Sequence, residues 1–144
     1  MVEQVSVFLE NKSGRLAELT RSLGDAGVDM HALMVADTSD FGVVRIICDR
    51  PANAKRLLDE AGFGASVAEV VAVEVPDRPG GLAEVLEVLG SAGLNVEYAY
   101  CFVKSSGDCA VDVLKVDDRR AEDVLTEAGF TVLGPSDLYT LDSE

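Results

Sequence analysis

Two glycine-containing turns have the residue types and spacing needed to bind a small anion. They are residues 13–16 (Ser-Gly-Arg-Leu) and 79–82 (Pro-Gly-Gly-Leu), and each precedes apolar residues at helical spacing. The start of a helix offers four backbone N–H groups without intrahelical partners and carries partial positive charge. Glycine has no Cβ atom, so a carboxylate or phosphate could approach the backbone there without a basic side chain. The same glycines could instead serve only to turn the chain into the helix.

The other reactive side chains form no catalytic or metal-binding pattern. His31 is the only histidine, no serine lies in a Gly-x-Ser-x-Gly elbow, and no two cysteines form a Cys-x-x-Cys pair. We therefore predict no enzyme activity, no metal and no cofactor, and a structural role for His31. The three cysteines lie in apolar, strand-like runs and are predicted to be buried hydrophobic residues: Cys48, Cys101 and Cys109.

One stretch, residues 37–42 (Asp-Thr-Ser-Asp-Phe-Gly), is rich in side-chain oxygen atoms. A calcium loop of the EF-hand type would need alternating ligands over twelve residues and a distal glutamate, and both are missing. The stretch is therefore predicted to be a hairpin turn. The alternative is a ligand-facing role for Asp37, Thr38 or Ser39, because this turn connects strands next to the candidate site.

Composition excludes several classes of partner. The chain has 144 residues, with 26 acidic and 12 basic side chains and a net charge of −14. Nucleic acids and anionic membranes attract clustered lysine and arginine, which this sequence lacks. No apolar run approaches the roughly 20 residues that span a bilayer. The odd number of cysteines and the lack of a signal-peptide pattern predict a cytoplasmic location.

The elements that position the turns come from an internal repeat. Residues 14–18 and 23–28 match residues 80–84 and 89–94 at an offset of 66, and residues 60–63 match 127–130 at an offset of 67. The extra residue is placed in the turn at 103–108, because turns tolerate insertions. Each copy has the β-α-β-β-α-β order of the split βαβ unit. Within it, Gly27 and Gly93 are predicted to end helices, Pro51 to begin one, and Asp117 to be an N-cap.

The junction between the copies has no linker. Residues 70–75 align with the first strand of one copy, and residues 70–74 align with residues 137–141, the predicted last strand of the other. Either one long strand serves both units, or the C-terminal strand is swapped into the other sheet. We predict an α+β fold of two ferredoxin-like units with antiparallel sheets, residues 1–69 and 70–144, neither of them stable alone.

The second turn and its surroundings resemble the ACT domain signature. The similar segments are residues 75–86 (Val-Pro-Asp-Arg-Pro-Gly-Gly-Leu-Ala-Glu-Val-Leu) and 92–96 (Ala-Gly-Leu-Asn-Val). The first copy resembles it more loosely, and the likeness covers nearly the whole chain as a tandem pair. It implies binding of an amino acid or related carboxylate near a domain interface. The implied ligand-binding residues are Asp77, Pro79, Gly80, Gly81, Leu82, Asn95 and Val96 in the second copy, and Asn11, Gly14, Arg15, Leu16, Asp29 and Met30 in the first.

The resemblance also implies roles for these residues. Backbone N–H groups of the turn would bind the ligand carboxylate, and Asn95 or Asp29 its ammonium or amide. Because Arg15 replaces the second glycine, and Asp29 the asparagine, we favour the second copy or a site built jointly at an interface. Replacing Gly80 with valine should abolish binding and keep the fold, provided that Gly80 does not need a positive φ.

The predicted function is that of a non-enzymatic sensor of an amino acid or similar small carboxylate. The alternative is a regulatory subunit that binds no ligand and contacts a metabolic enzyme through its sheet edge. Strands of such small units leave edges that need cover, so a homodimer or an intimate pseudo-dimer is expected.

Overall fold

The computed structural model describes residues 1–37, 40–103 and 109–143, without the side chains of Asp37 and Val103. Its helices and strands are β1 (Val2–Glu10), α1 (Arg15–Asp25), β2 (Met30–Asp37), β3 (Phe41–Cys48), α2 (Pro51–Glu60), β4 (Gly64–Pro76), α3 (Gly81–Ser91), β5 (Tyr98–Val103), β6 (Cys109–Lys115), α4 (Arg120–Glu127), β7 (Val132–Leu133) and α5 (Pro135–Leu138). The β-α-β-β-α-β order occurs twice, and β4 is the last strand of one copy and the first of the other. The predicted fold class and its shared strand are thus confirmed.

The chain forms two compact units whose boundary falls inside β4. The N-terminal unit consists of Glu3–Ala68 together with the C-terminal segment, which we define as Pro135–Glu144. The C-terminal unit consists of Met1–Val2 and Glu69–Gly134. That neither predicted half, 1–69 or 70–144, is stable alone stays a prediction.

In the N-terminal unit, helices cover one face of a sheet with strand order β2-β3-β1-β4, in which β3 pairs antiparallel with β2 and with β1. Alternate residues of β1 point to opposite faces, so Val5, Val7 and Leu9 are buried together. They pack with Leu19 of α1 and Leu58 of α2 in one core. This core fixes the start of α1, and with it the first glycine turn.

In the C-terminal unit the strand order is β4-β6-β5, and β7 also pairs with β4. Val71, Val73 and Val75 of β4 pack against Val85 of α3 and Leu125 of α4. Among the described residues of this unit, the buried side chains include the carboxylate of Asp112, which is 5% exposed. Asp112 lies opposite Val73 in the pairing of β6 with β4. Val7 of β1 corresponds to Val73 in the repeat, and its partner on the neighbouring strand is the apolar residue Val44.

Several local predictions are confirmed. Gly27 and Gly93 follow helices α1 and α3 with φ of 73° and 77°, as helix-ending glycines do. Pro51 lies at the start of α2. Strands β2 and β3 pair as a hairpin, although Thr38 and Ser39, two of the three candidate ligand-facing residues, lie outside the described residues. Residues 104–108, in the turn to which the insertion was assigned, also lie outside them.

Other local predictions are wrong. Residues 137–141 form no strand, because Pro135, which has no backbone N–H for a sheet, begins the short helix α5 instead. Asp118, not Asp117, accepts the N–H of Arg120 at the start of α4, at 2.9 Å. Asp117 binds Lys115 at 2.5 Å.

The prediction for the cysteines holds in full only for Cys48, which is buried. Cys109 is half-buried, and Cys101 is exposed because β5 lies at the edge of the sheet, where it pairs with β6. Among the described residues, no helix is long and apolar enough to cross a membrane.

Candidate functional site

Both glycine turns enter their helices in the same way. Gly14 and Gly80 are the N-cap residues of α1 and α3, with φ of 88° and 85°. This left-handed conformation is readily adopted by glycine and costs other residues free energy. No side chain caps either helix among the described residues. The N–H groups of Arg15 and Gly81 donate to the carbonyls of Lys12 and Arg78, at 3.3 and 3.0 Å, so the N–H groups left for water or for a ligand are those of the next two residues of each helix. Replacement of Gly80 by valine was expected to keep the fold only if Gly80 does not need a positive φ. Gly80 has a positive φ, so this variant would strain the backbone and does not test binding alone.

The second glycine of turn 79–82 has a structural cause. A Cβ atom added to Gly81 would lie 2.2 Å from the carbonyl oxygen of Pro76, at the end of β4. The first copy has Arg15 at this position, half-buried as the first residue of α1. Close backbone packing within the C-terminal unit is thus a sufficient reason for Gly81, whatever binds nearby.

The side chain of Arg15 is used within its own unit. Its Nη1 donates a hydrogen bond to Glu18 at 2.6 Å, and its guanidinium lies 4.8 Å from the centre of the Phe63 ring. Its Nε is buried and has no partner among the described residues. Arg15 therefore covers part of the first turn and already holds a carboxylate, whereas the second turn has no side chain at the equivalent position.

The remaining predicted turn residues are at the surface. Asn11, Asp77 and Pro79 are exposed. Leu16 and Leu82, one residue past each helix start, are 38% and 42% exposed. Exposed leucines beside uncapped N–H groups give each turn a polar and an apolar part.

The strand entries lie away from the turns of their own copy. Asp29 and Met30 follow the end of α1, and Asn95 and Val96 follow the end of α3. Each helix has 11 residues, so turn and strand entry are separated by about 16 Å along the helix axis. The structure therefore does not bring Gly80 and Asn95 of one copy together.

At the strand entry of the N-terminal unit, Asp29 and His31 meet a residue that the sequence analysis missed, Asp49. The Nε2 atom of His31 lies 2.9 Å from Oδ1 of Asp49. The same oxygen accepts the backbone N–H of Thr140 at 2.7 Å. The hydrogen bonds from His31 and Thr140 hold the pKa of Asp49 below its usual value.

These residues border a cavity of about 470 Å³. Besides Asp29, His31 and Asp49, it is lined by residues 136–140 of the C-terminal segment. His31 was predicted to be structural, and its pairing with Asp49 gives it a polar partner at the cavity.

The strand entry of the C-terminal unit borders a smaller cavity of about 280 Å³, lined in part by Asn95, Glu97 and Asp117. Lys115 binds Asp117 at 2.5 Å. The hydrogen bond from Lys115, and a second one with Glu97, lower the pKa of Asp117. An ammonium group thus neutralises acids here, while the first copy has a histidine among its acids.

Comparison with known proteins gives a consistent result. A family model described as an ACT domain pair matches residues 1–141. The solved structure of protein BT0572 from Bacteroides thetaiotaomicron is 37% identical and has a TM-score of 0.89, over 97% of this chain and 96% of that one. A search of curated proteins gave no match.

More distant solved structures share the fold. The ligand-free regulatory subunit of aspartate kinase from Thermus thermophilus is 15% identical with a TM-score of 0.66, covering 88% of this chain and 89% of that one. Aspartate kinase from Synechocystis is 14% identical with a TM-score of 0.64, covering 88% of this chain and 24% of that one.

Proposed function

The chain belongs to the ACT domain pair family, and from this premise we propose that it is a non-enzymatic sensor that binds an amino acid or a similar small carboxylate. The observation that carries the proposal is the conformation of the two turns. In each, a left-handed glycine precedes a helix that no described side chain caps. The fold shared with regulatory subunits of aspartate kinase is consistent with a regulatory role.

The turn chemistry suits a carboxylate on this acidic protein. Backbone N–H groups and the helix dipole attract an anion without a basic side chain, which matters in a chain with a net charge of −14. Leu82 is 42% exposed and could contact an apolar ligand side chain. A ligand with a carboxylate and an apolar part fits this combination.

We assign the ligand to the second copy. Arg15 is the first residue of α1 and is paired with Glu18, whereas the first residue of α3 is Gly81, which has no side chain, and the arginine paired with Glu84 is Arg78, which precedes the helix. The amide of Asn95 can both donate and accept hydrogen bonds, which suits the ammonium or amide of a ligand. Asn95, however, follows the end of α3, whereas the glycine turn precedes the start of this helix. We therefore propose that the protein is a homodimer, in which Asn95 of one protomer reaches the ligand bound at the second turn of its partner.

A thermal-shift screen with the twenty amino acids tests binding. A ligand at a hundredfold excess over Kd stabilises the folded state by about 2.7 kcal/mol. For a chain of this size, that raises the Tm by about 5–10 °C. If no amino acid shifts the Tm, the sensor proposal is contradicted.

A matched pair of variants tests which turn binds. Leu82→Asp and Leu16→Asp place a carboxylate at the second residue of α3 and of α1, where the helix dipole favours negative charge. Leu82→Asp should weaken binding at least tenfold, because the new carboxylate competes for the N–H groups. Leu16→Asp should leave affinity unchanged, and the reverse result would assign the ligand to the first copy.

A second candidate function rests on the sheet edge. Leu33 and Val35, on edge strand β2, are 43% and 46% exposed. An exposed apolar edge strand favours pairing with another chain, either a second copy or a metabolic enzyme. Light scattering at micromolar concentration, with Val35→Lys as the comparison, tests the homodimer. A monomer in the unmodified protein would contradict it, and a dimer that Val35→Lys dissociates would support it.

We also propose a cytoplasmic location, because the three cysteines are free thiols.

A further inference from the structure

The cluster of Asp29, His31 and Asp49 has a chemistry that the amino-acid proposal does not use. Its members offer two carboxylate oxygens and one imidazole nitrogen, and these three ligand atoms lie within 4.8 Å of one another. We propose that this cluster binds one divalent transition-metal cation, of the Zn²⁺ or Mn²⁺ kind.

The distances suit an ion at the centre of the cluster. Bonds from zinc to nitrogen and oxygen ligands are about 2.0–2.2 Å long, so two neighbouring ligands lie about 3 Å apart around one ion. The Nε2 of His31 and the Oδ1 of Asp49 are 2.9 Å apart. These two atoms therefore need little movement to share a cation, and Asp29 is close enough to supply the third ligand.

The ligands are held by structure behind them. His31 lies on β2, and Asp49 directly follows β3, its antiparallel partner. The N–H of Asp49 donates to the carbonyl of Asp29 at 3.0 Å, which ties two of the three residues by their backbones. The N–H of Thr140 donates to the Oδ1 atom of Asp49 at 2.7 Å and so fixes the orientation of this carboxylate, as outer hydrogen bonds do at metal centres.

There is room for the remaining ligands. The cavity of about 470 Å³ is bordered by all three side chains and by residues 136–140, which include the hydroxyl of Ser136. Three protein ligands with water at the other positions form an open metal site.

The donor set selects the class of cation. Calcium and magnesium prefer sites made of oxygen alone, and copper(I) prefers sulfur. One imidazole with two carboxylates suits zinc, manganese, iron(II) or nickel. The net charge of −14 adds a general attraction for cations.

The second copy provides an internal control. At an offset of 66, Asn95 and Glu97 replace Asp29 and His31. There the ammonium of Lys115 binds Asp117. A fixed positive charge next to the acids disfavours a cation, so the chain should hold one metal ion and not two.

The experiment titrates Zn²⁺, and separately Mn²⁺, into the full chain after removal of metal with a chelator. Calorimetry should give one site, and His31→Gln and Asp29→Asn should each weaken it at least tenfold. Glu97→Gln, the matched change in the second copy, should leave the affinity unchanged. Because His31 is the only histidine, its imidazole NMR signals report the site directly and should move on addition of Zn²⁺.

Unchanged imidazole signals at saturating Zn²⁺ would overturn the proposal, because the metal would then be held elsewhere, for example by thiols. Equal affinity in His31→Gln and the unmodified chain would overturn it as well. The probe is the metal alone, so the result does not depend on whether an amino acid binds at the glycine turn.

Discussion

Replacement of Asp142 by alanine is expected to destabilise the N-terminal unit. The carboxylate of Asp142 accepts the backbone N–H groups of Ala52 and Asn53, at 3.1 and 2.9 Å. These are the second and third residues of α2, where a capping side chain normally binds. The N-cap residue itself, Arg50, has a φ of 44° and provides no side-chain cap. The cap of α2 is therefore supplied from about 90 residues further along the chain.

The magnitude follows from the two hydrogen bonds. Loss of an N-cap costs about 0.5–2 kcal/mol, and a charged acceptor near a helix start lies toward the upper part of this range. Both bonds are exposed to solvent, which limits the gain. We expect a loss of about 1–2 kcal/mol, or a fall in Tm of about 3–6 °C for a chain of this length.

Urea and thermal unfolding measure this loss. Ser143→Ala, at the neighbouring residue, is the negative control, and Asp118→Ala, which removes the local cap of α4, is the positive one. Amide hydrogen exchange should speed up at Ala52 and Asn53 in Asp142→Ala. If Asp142→Ala lowers the Tm no more than Ser143→Ala, the assignment of the cap is refuted.

Three further predictions concern the core. Gly81→Ala should lower the free energy of unfolding in urea by about 1–3 kcal/mol or more, because its Cβ would lie 2.2 Å from the carbonyl oxygen of Pro76. Gly90→Ala, which has open space at its Cβ, is the control. Burial raises the pKa of Asp112, so the stability gained from its protonated form is fully present below the ordinary aspartate pKa and is lost as pH rises through the raised value. Asp112→Val should therefore stabilise the chain at neutral pH by about 1–2 kcal/mol and flatten this pH dependence; lower stability would contradict the reasoning. Burial also raises the pKa of Cys48 to about 12, so a thiol reagent should modify Cys48 only after unfolding, and reaction in the native state would contradict this.

Much of the fold could be predicted because the repeat fixes local structure twice. The alternation of Val5, Val7 and Leu9 specifies the buried face of β1, and Gly27 and Gly93 end equivalent helices by the same left-handed conformation. The double alignment of residues 70–75 predicted either a shared or a swapped strand, and β4 is shared although residues 137–141, one of the two segments in that alignment, form no strand. The family resemblance rested on the second turn, whose residues are local in sequence.

The parts that escaped prediction depend on distant contacts. Asp49 meets His31 only because β2 and β3 pair, and no motif links the two residues. The ends of α2 and α4 are capped differently, by Asp142 and by Asp118, although the helices are repeats of each other. The alignment of residues 137–141 with a strand failed at Pro135, because proline cannot donate a hydrogen bond to a sheet.

The composition of the N-terminal unit has a consequence for the order of biosynthesis. Residues 3–68 are translated first, yet the segment that completes their unit, Pro135–Glu144, is translated after the whole of Glu69–Gly134. At 5–20 residues per second, this leaves an interval on the order of ten seconds in which α2 has no cap and Asp49 no Thr140. The unit that the ribosome begins first can therefore be the last to reach its final form, and a nascent-chain arrest before residue 135 would capture it incomplete.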